Sequence, residues 1–216
     1  MSSDILNQLK NAVLEFDIEN AEAVAKKAVE AGISPLKAAA ALTGAIREVG
    51  DKFGKGEFFL PDLVCAAEVL KKAFPVINSA IEKNGEKANK SLGKVIIGTV
   101  YGDVHSIGKG MVATLLYVAG FEVIDLGINV KGEDFLNAIK ENNPDILAMS
   151  ALLTTTAAEQ KNVIEGLKKE GVRDNVKVIV GGSPINQEFA DSIGADGYGA
   201  TAPEGVKIAK KLLGIS

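Results

Sequence analysis

The chain holds a single histidine, His105, in the run Gly102-Asp103-Val104-His105-Ser106-Ile107-Gly108. Imidazole is the commonest protein ligand for a metal ion. A ligating histidine usually hands its other ring N–H to a carboxylate or carbonyl, which fixes the tautomer and raises the basicity of the free nitrogen. Asp103, two residues earlier, is placed to be that partner. A metal cage needs more than one side chain, however. Cys65 is the only cysteine, which excludes an internal disulfide and a cysteine-rich zinc site, and one histidine completes no protein-only site of the usual kind. Any metal held here must bring most of its ligands with it.

The elements that position this pair belong to the second half of the chain. Short apolar runs at 95–97, 122–125, 146–149 and 176–180 alternate with helical segments near 107–119, 132–141, 156–170 and 186–193. A weak last strand at Gly197-Tyr198 precedes a closing helix from Pro203 to Leu213. This alternation predicts right-handed βαβ units and an α/β, doubly wound, flavodoxin-like sheet of five parallel strands over residues 91–216. Ligands of such sheets bind beyond the carboxyl ends of the strands, where the strand order reverses. The loop with His105 follows the first strand and so lies on that edge.

Residues 1 to about 83 show helical patterning and no strand pattern. Asp17 is expected to cap a helix from Ile18 to Ala31, with Gly32 just past its end. Ser34-Pro35 pairs an N-cap with proline at the first helical position and opens a helix to about Phe53. A fourth helix starts at Pro61 and repeats Leu63, Ala66, Ala67, Leu70 and Phe74 at helical spacing until Asn84-Gly85. Pro75 is expected to kink it or end it early. The prediction is an N-terminal antiparallel four-helix bundle, joined to the α/β domain by a polar linker at Asn84–Gly93.

Composition excludes several classes. The 216 residues are 47% hydrophobic and 24% charged with a formal net charge of −4, an ordinary globular make-up. Lysines alternate with acids and do not cluster, so no nucleic-acid partner is expected. The opening residues lack a basic-then-apolar signal pattern, and no apolar run is long enough to span a bilayer. The expectation is a cytoplasmic protein with no membrane partner.

One motif points elsewhere. Gly108-Lys109-Gly110-Met111-Val112-Ala113 satisfies the glycine pattern of a dinucleotide-binding loop, and the acidic Asp125 ends the next strand. That loop needs its first glycine directly after the strand, so that the helix N-terminus meets a pyrophosphate. The strand here should end near Thr99 or Val100, well before Gly108, and an NAD-binding enzyme is the weaker alternative. The second constellation is distributed: Asp103-x-His105-x-x-Gly108 follows strand one, Ser150-Ala151-Leu152 follows strand three, and Gly181-Gly182 follows strand four. Alone, a loop histidine is a surface residue as readily as a ligand, and Ser150 and the glycine pair are ordinary strand-end residues.

Together, in this order on successive strand ends, these motifs resemble the cobalamin-binding domains of methionine synthase, of the base-off B12 mutases and of the corrinoid proteins of anaerobic methyltransferase systems. The stretch Phe53-Gly-Lys-Gly-Glu-Phe-Phe-Leu-Pro-Asp-Leu63 also resembles the helical cap of the methyl carriers in that group. The resemblance covers nearly the whole chain. It implies a cobalamin or related cobamide, bound base-off/His-on, whose corrin ring supplies four equatorial nitrogens to cobalt while His105 adds one axial imidazole. Asp103 would orient that ring, and Ser150 would extend the hydrogen-bonded relay. Val104, Ser106, Ile107 and Leu152 would border the cofactor, and Gly108 would allow its close approach. The displaced lower base would enter the α/β core as an extended tail along small or polar residues: Ser150, Thr154, Thr155, Gly181, Gly182 and Ser183.

The function so implied is that of a corrinoid protein carrying a methyl group between a donor-specific methyltransferase, for methanol, methylamine or methoxyl substrates, and an acceptor methyltransferase using tetrahydrofolate or a thiol cofactor. A reductive activase is a further implied partner. Residues 1–90 would be a mobile cap, with Phe58, Phe59, Leu63, Ala67 and Leu70 either shielding the upper cobalt face or simply forming the bundle core. Cys65 reads as a small buried hydrophobe. The chain shows no site for a methyl donor or for folate, so no complete turnover by it alone is expected. A B12-dependent sensor would need a DNA-binding segment that the chain lacks. The small subunit of an adenosylcobalamin mutase would not need the helical half.

Overall fold

The computed structural model describes residues 2–84 and 91–215. The chain divides into two compact units, Met1–Lys90 and Ser91–Ser216. Most of the expected linker, residues 85–90, lies outside the described residues.

The first unit contains α1 (Ser2–Leu14), α2 (Ala21–Glu30), α3 (Pro35–Gly54) and α4 (Leu60–Lys83). Helix α3 packs against both α1 and α4, and α2 against α1 and α4. Leu9, Leu42, Leu63, Leu70 and Ile77 are fully buried in its core. Helix α3 starts as expected, with Ser34 at the N-cap and Pro35 in the first turn. Two expectations are corrected. Helix α2 begins at Ala21 behind Asn20, not at Ile18. Asp17 spends its carboxylate on the backbone N–H and side-chain amide of Asn20, which makes a turn ahead of the helix. Helix α4 does not end at Pro75 but runs on to Lys83; its buried positions continue through Ile77, Ala80 and Ile81, so packing outweighs the one backbone bond that proline removes.

The second unit alternates β1 (Lys94–Thr99), α5 (Ile107–Ala119), β2 (Glu122–Asp125), α6 (Gly132–Asn142), β3 (Ile146–Ser150), α7 (Thr154–Lys169), β4 (Lys177–Gly181), α8 (Gln187–Ile193), β5 (Gly197–Gly199) and α9 (Ala202–Leu212), with a single 3-10 turn at Arg173–Asn175. All pairings are parallel, in the order β2-β1-β3-β4-β5. This is the flavodoxin-like order expected from the sequence. The central strands β1, β3 and β4 are buried on both faces, as a doubly wound sheet requires. Ile96, Leu147, Met149, Val178 and Val180 pack with Phe135 of α6 and Ile164 and Leu167 of α7. The alternate residues Val95, Ile97, Ala148 and Ile179 pack with Leu116 of α5 and Ala209 of α9. Helix α5 therefore leaves β1 toward one face and α7 leaves β3 toward the other. Between β1 and β3 the carboxyl edge opens into the crevice that such sheets use for ligands.

One contact shows how tightly the face under α6 is filled. A Cβ added at Gly98 on β1 would meet the ring of Phe135 at 2.8 Å, so that glycine is the recess for a fully buried aromatic side chain. Phe135→Ala should cost about 3–5 kcal/mol of the stability of the α/β unit. Urea unfolding of the full chain followed by circular dichroism would measure it, and a loss below about 1 kcal/mol would refute this packing account.

Candidate functional site

The site is built where four strands end together. Thr99 of β1 is in register with Ser150 of β3, Ser150 with Gly181 of β4, and Gly181 with Gly199 of β5. One row of small residues thus closes the carboxyl edge. The row lies on the α5/α9 face, below which the apolar Ile97, Ala148 and Ile179 form the wall of a cavity of about 730 Å³. Val112 and Gly205 close it from α5 and α9. The glycine after β4 is required: a Cβ on Gly182, whose φ is +128°, would stand 1.7 Å from the carbonyl oxygen of Ala151.

His105 stands at the mouth of this cavity on the loop from Val100 to Ser106, with 46% of its side chain exposed. Asp103, by contrast, is wholly buried beneath it. Asp103 Oδ1 accepts the backbone N–H of His105 at 3.0 Å and lies 2.7 Å from the ring Nδ1. The other oxygen accepts the backbone N–H of Leu152 at 2.7 Å and of Leu153 at 3.3 Å, and the Thr156 hydroxyl at 2.7 Å. Those three donors belong to the entrance of α7, so Asp103 is also the anion at that helix N-terminus.

The electrostatics follow from this count. Burial pushes the Asp103 carboxyl up, but the hydrogen bonds from the His105 N–H, Thr156, the Leu152 N–H and the His105 ring outweigh it and hold it well below the usual carboxylate range. An ionised carboxylate only accepts hydrogen bonds, so Nδ1 must carry the proton. In the neutral ring the Nε2 lone pair is then free and aimed by a fixed partner. Among the described residues no group of three or more metal-ligating side chains exists. The site therefore presents one oriented imidazole beside the cavity.

Most expected residues are assembled. Val104, His105, Ser106, Ile107, Gly108, Ser150, Leu152, Gly181, Gly182 and Ser183 all border the cavity. Nothing lies within 4 Å of where a Gly108 Cβ would sit, which leaves open space at the mouth. Asp103 does not border it and acts through His105. Ser150 faces the cavity and makes no hydrogen bond to Asp103; Thr156 has the place expected for it. The reason is phase. Ser150 shares the sheet face of Ala148, whereas Thr156 continues the inward stripe Gln160, Val163 and Leu167 of α7. The same phase turns Thr154 and Thr155 outward, exposed and away from the cavity. That stripe was visible in the sequence and would have picked Thr156 from its two neighbours.

Other residues were missed altogether. Lys109, buried beside the cavity, pairs with Asp125, so the acid of the dinucleotide pattern is already occupied. Gly108 and Gly110 lie inside α5, with Val100–Ser106 between them and β1, which removes the tight phosphate turn. Asn129, in the left-handed region at φ +54°, accepts the Gly102 N–H at 2.8 Å and donates its own N–H to the Asp103 carbonyl at 2.9 Å. Tyr198, Ala200, Thr201 and Ala202 line the far side of the cavity. Of the helical-unit residues expected either to face a cofactor or to form the bundle core, Leu63, Ala67 and Leu70 are buried in that unit's own core. Phe58 packs edge-on to Phe16 at 5.5 Å, and Phe59 is exposed.

A flavodoxin-like sheet with a cavity and one oriented imidazole at its strand-order switch defines a ligand-binding α/β domain. The comparisons with known proteins make this specific. A family model described as the B12 binding domain matches residues 93–207, and a second one so described matches residues 5–78. The trimethylamine corrinoid protein of Methanosarcina barkeri is 46% identical over 213 residues, covering 98% of each chain. A corrinoid protein of Desulfitobacterium hafniense (strain Y51) is 40% identical and covers 99% of this chain and 100% of its own. Among solved structures, the methanol:cobalamin methyltransferase complex of M. barkeri superposes with a TM-score of 0.86 at 28% identity, over 99% of this chain and 81% of that one. The chain belongs to the B12-binding corrinoid proteins. The dinucleotide-enzyme and mutase alternatives are not favoured by these relatives. Among the described residues no helix is long and apolar enough to cross a membrane.

Asp103 gives the site a pH signature. Its folded pKa lies below the unfolded value of 3.8, so its stabilisation is complete above about pH 4 and is lost as pH falls below that value. Asp103→Asn should cost about 2–4 kcal/mol at neutral pH and flatten the acid limb of stability. Urea midpoints of both proteins between pH 7 and pH 3 would show an undiminished limb in the variant if another group were responsible.

Proposed function

We propose that this chain carries a methyl group on a corrinoid held base-off/His-on at the α/β unit, between a donor methyltransferase and an acceptor methyltransferase. The observation that carries the reading is the His105 imidazole, its Nδ1 bound to a buried carboxylate and its Nε2 left free at the mouth of the cavity. When bound, the corrinoid supplies the cobalt on which the methyl group travels, together with the metal's four equatorial nitrogens.

The chain's own residues do the rest. His105 would be the donor to the cobalt, with Asp103 holding its tautomer and orientation. Thr156 and the N–H groups of Leu152 and Leu153, just ahead of α7, keep Asp103 ionised. Gly108 leaves room for the ring system near the backbone. The row Ser150, Gly181 and Gly199, with Gly182 and Ser183, would receive the displaced nucleotide tail in a cavity whose lower wall is apolar. The sheet edge is rigid, so the imidazole is held ready before the cofactor arrives.

Relatives named for trimethylamine and dimethylamine support a methylated amine as the first donor to test, and the solved methanol complex supports a methyltransferase as the direct partner. Tetrahydrofolate or a thiol cofactor would be the acceptor on a second methyltransferase, and a reductive activase would restore the reduced cofactor. The chain holds no recognisable donor site, and turnover is proposed to need these partners, all in the cytoplasm.

Two measurements test this. The purified chain should take up about one cobamide, one cobalt per axial imidazole, and a chain that stays colourless after reconstitution would end the reading. In the Co(II) form, electron paramagnetic resonance should show axial nitrogen coupling that His105→Ala removes. Persistence of that coupling would assign the axial bond to another group.

A further inference from the structure

We propose that Thr99 is a positioning residue for the His105 imidazole: its buried hydroxyl grips the carbonyl of His105 and fixes where the ring stands at the sheet edge. The proposal rests on the reading of His105 as an axial ligand. The loop that bears the histidine is not held by burial, since Val104 and Ile107 on either side are 63% and 82% exposed. Polar anchors must hold it. Asp103 Oδ1 takes both the backbone N–H and the ring Nδ1 of His105, at 3.0 and 2.7 Å. Both bonds converge on one oxygen, so by themselves they leave the residue free to pivot about that point.

Thr99 removes the pivot from the other end of the residue. Its Oγ1 donates to the His105 carbonyl at 2.9 Å, and among the described residues it is the only donor to that oxygen. Thr99 is itself fully buried. Its N–H donates to Gly127 at 3.0 Å and its carbonyl accepts from Val130 at 2.9 Å, so the backbone beneath the hydroxyl is tied to the neighbouring loop. A β-branched side chain has few rotamers to choose from. The anchor is therefore stiff from backbone to hydroxyl.

The single histidine makes the test direct, because the ring nitrogens of a 15N-labelled full chain belong to one residue. Long-range proton–nitrogen correlation on the cofactor-free protein, at a pH where the ring is neutral, should show the Nδ1–H tautomer. Thr99→Val, which keeps the shape and loses the hydroxyl, should raise the other tautomer about two- to tenfold, the ratio that one lost hydrogen bond allows. Thr99→Ser should restore the wild-type signals. Folded Thr99→Val with unchanged ring signals overturns the proposal, as does Thr99→Ser perturbed to the same extent, which would assign the effect to the methyl group. Thr99→Ala replaces the valine variant where circular dichroism shows that the latter does not fold. Electron paramagnetic resonance of the cobamide-loaded wild type without axial nitrogen would sink the axial reading alone and leave the ring-position result standing.

Discussion

A carboxylate removed from water must have its charge met by donors, and the site of this protein is organised by the way Asp103 satisfies that demand. Burial of an isolated carboxylate is prohibitive, and the group would otherwise take up a proton. Here the two oxygens collect backbone N–H groups from two loops, one hydroxyl and the imidazole. The donors come from the connections after β1 and β3, the strands between which the helices change face. The same charge caps α7, closes the His105 loop and selects the imidazole tautomer. Function and local folding are thus one set of hydrogen bonds.

Space for the cofactor has a different origin. In a parallel sheet buried on both faces, large side chains normally fill the volume up to the helices. This sheet keeps that rule through Ile97 and Ile179 and breaks it at the carboxyl edge, where Ser150, Gly181 and Gly199 line the cavity in one register row. Three paired strands, β3, β4 and β5, stop filling the face at the same height. The gap is continuous because the pairing places those residues side by side, which no single strand's composition reveals.

Much of this was legible beforehand. The alternation of apolar runs with helical stretches is a local signal, and the element order followed from it. The histidine with its acidic neighbour two residues away was legible for the same reason, because both sit on one short loop. Helix starts were less secure where competing side chains were close. Asp17 and Asn20 both favour caps, and they bond to each other: Asn20 stands at the N-cap of α2 while its side-chain amide donates to the Asp17 carboxylate and makes no cap bond to the first turn. Pro75 read as a breaker because propensity is local, whereas the buried face of α4 extends on both sides of it.

What the sequence by itself determined, then, is everything carried by near neighbours: two units of different periodicity, a parallel α/β half, and an imidazole with a carboxylate beside it. Only the tertiary structure decided which hydroxyl completes the carboxylate's shell. Ser150 and Thr156 are equally suitable in type, but Thr156 reaches Asp103 across 53 residues of chain because α7 crosses the sheet in the phase that turns it inward. Likewise the Lys109–Asp125 pair and the backbone ties of Thr99 to Gly127 and Val130 depend on β1 and β2 lying side by side. Chemistry of side chains is local, whereas the meeting of side chains depends on register and helix phase, which packing of the whole unit sets.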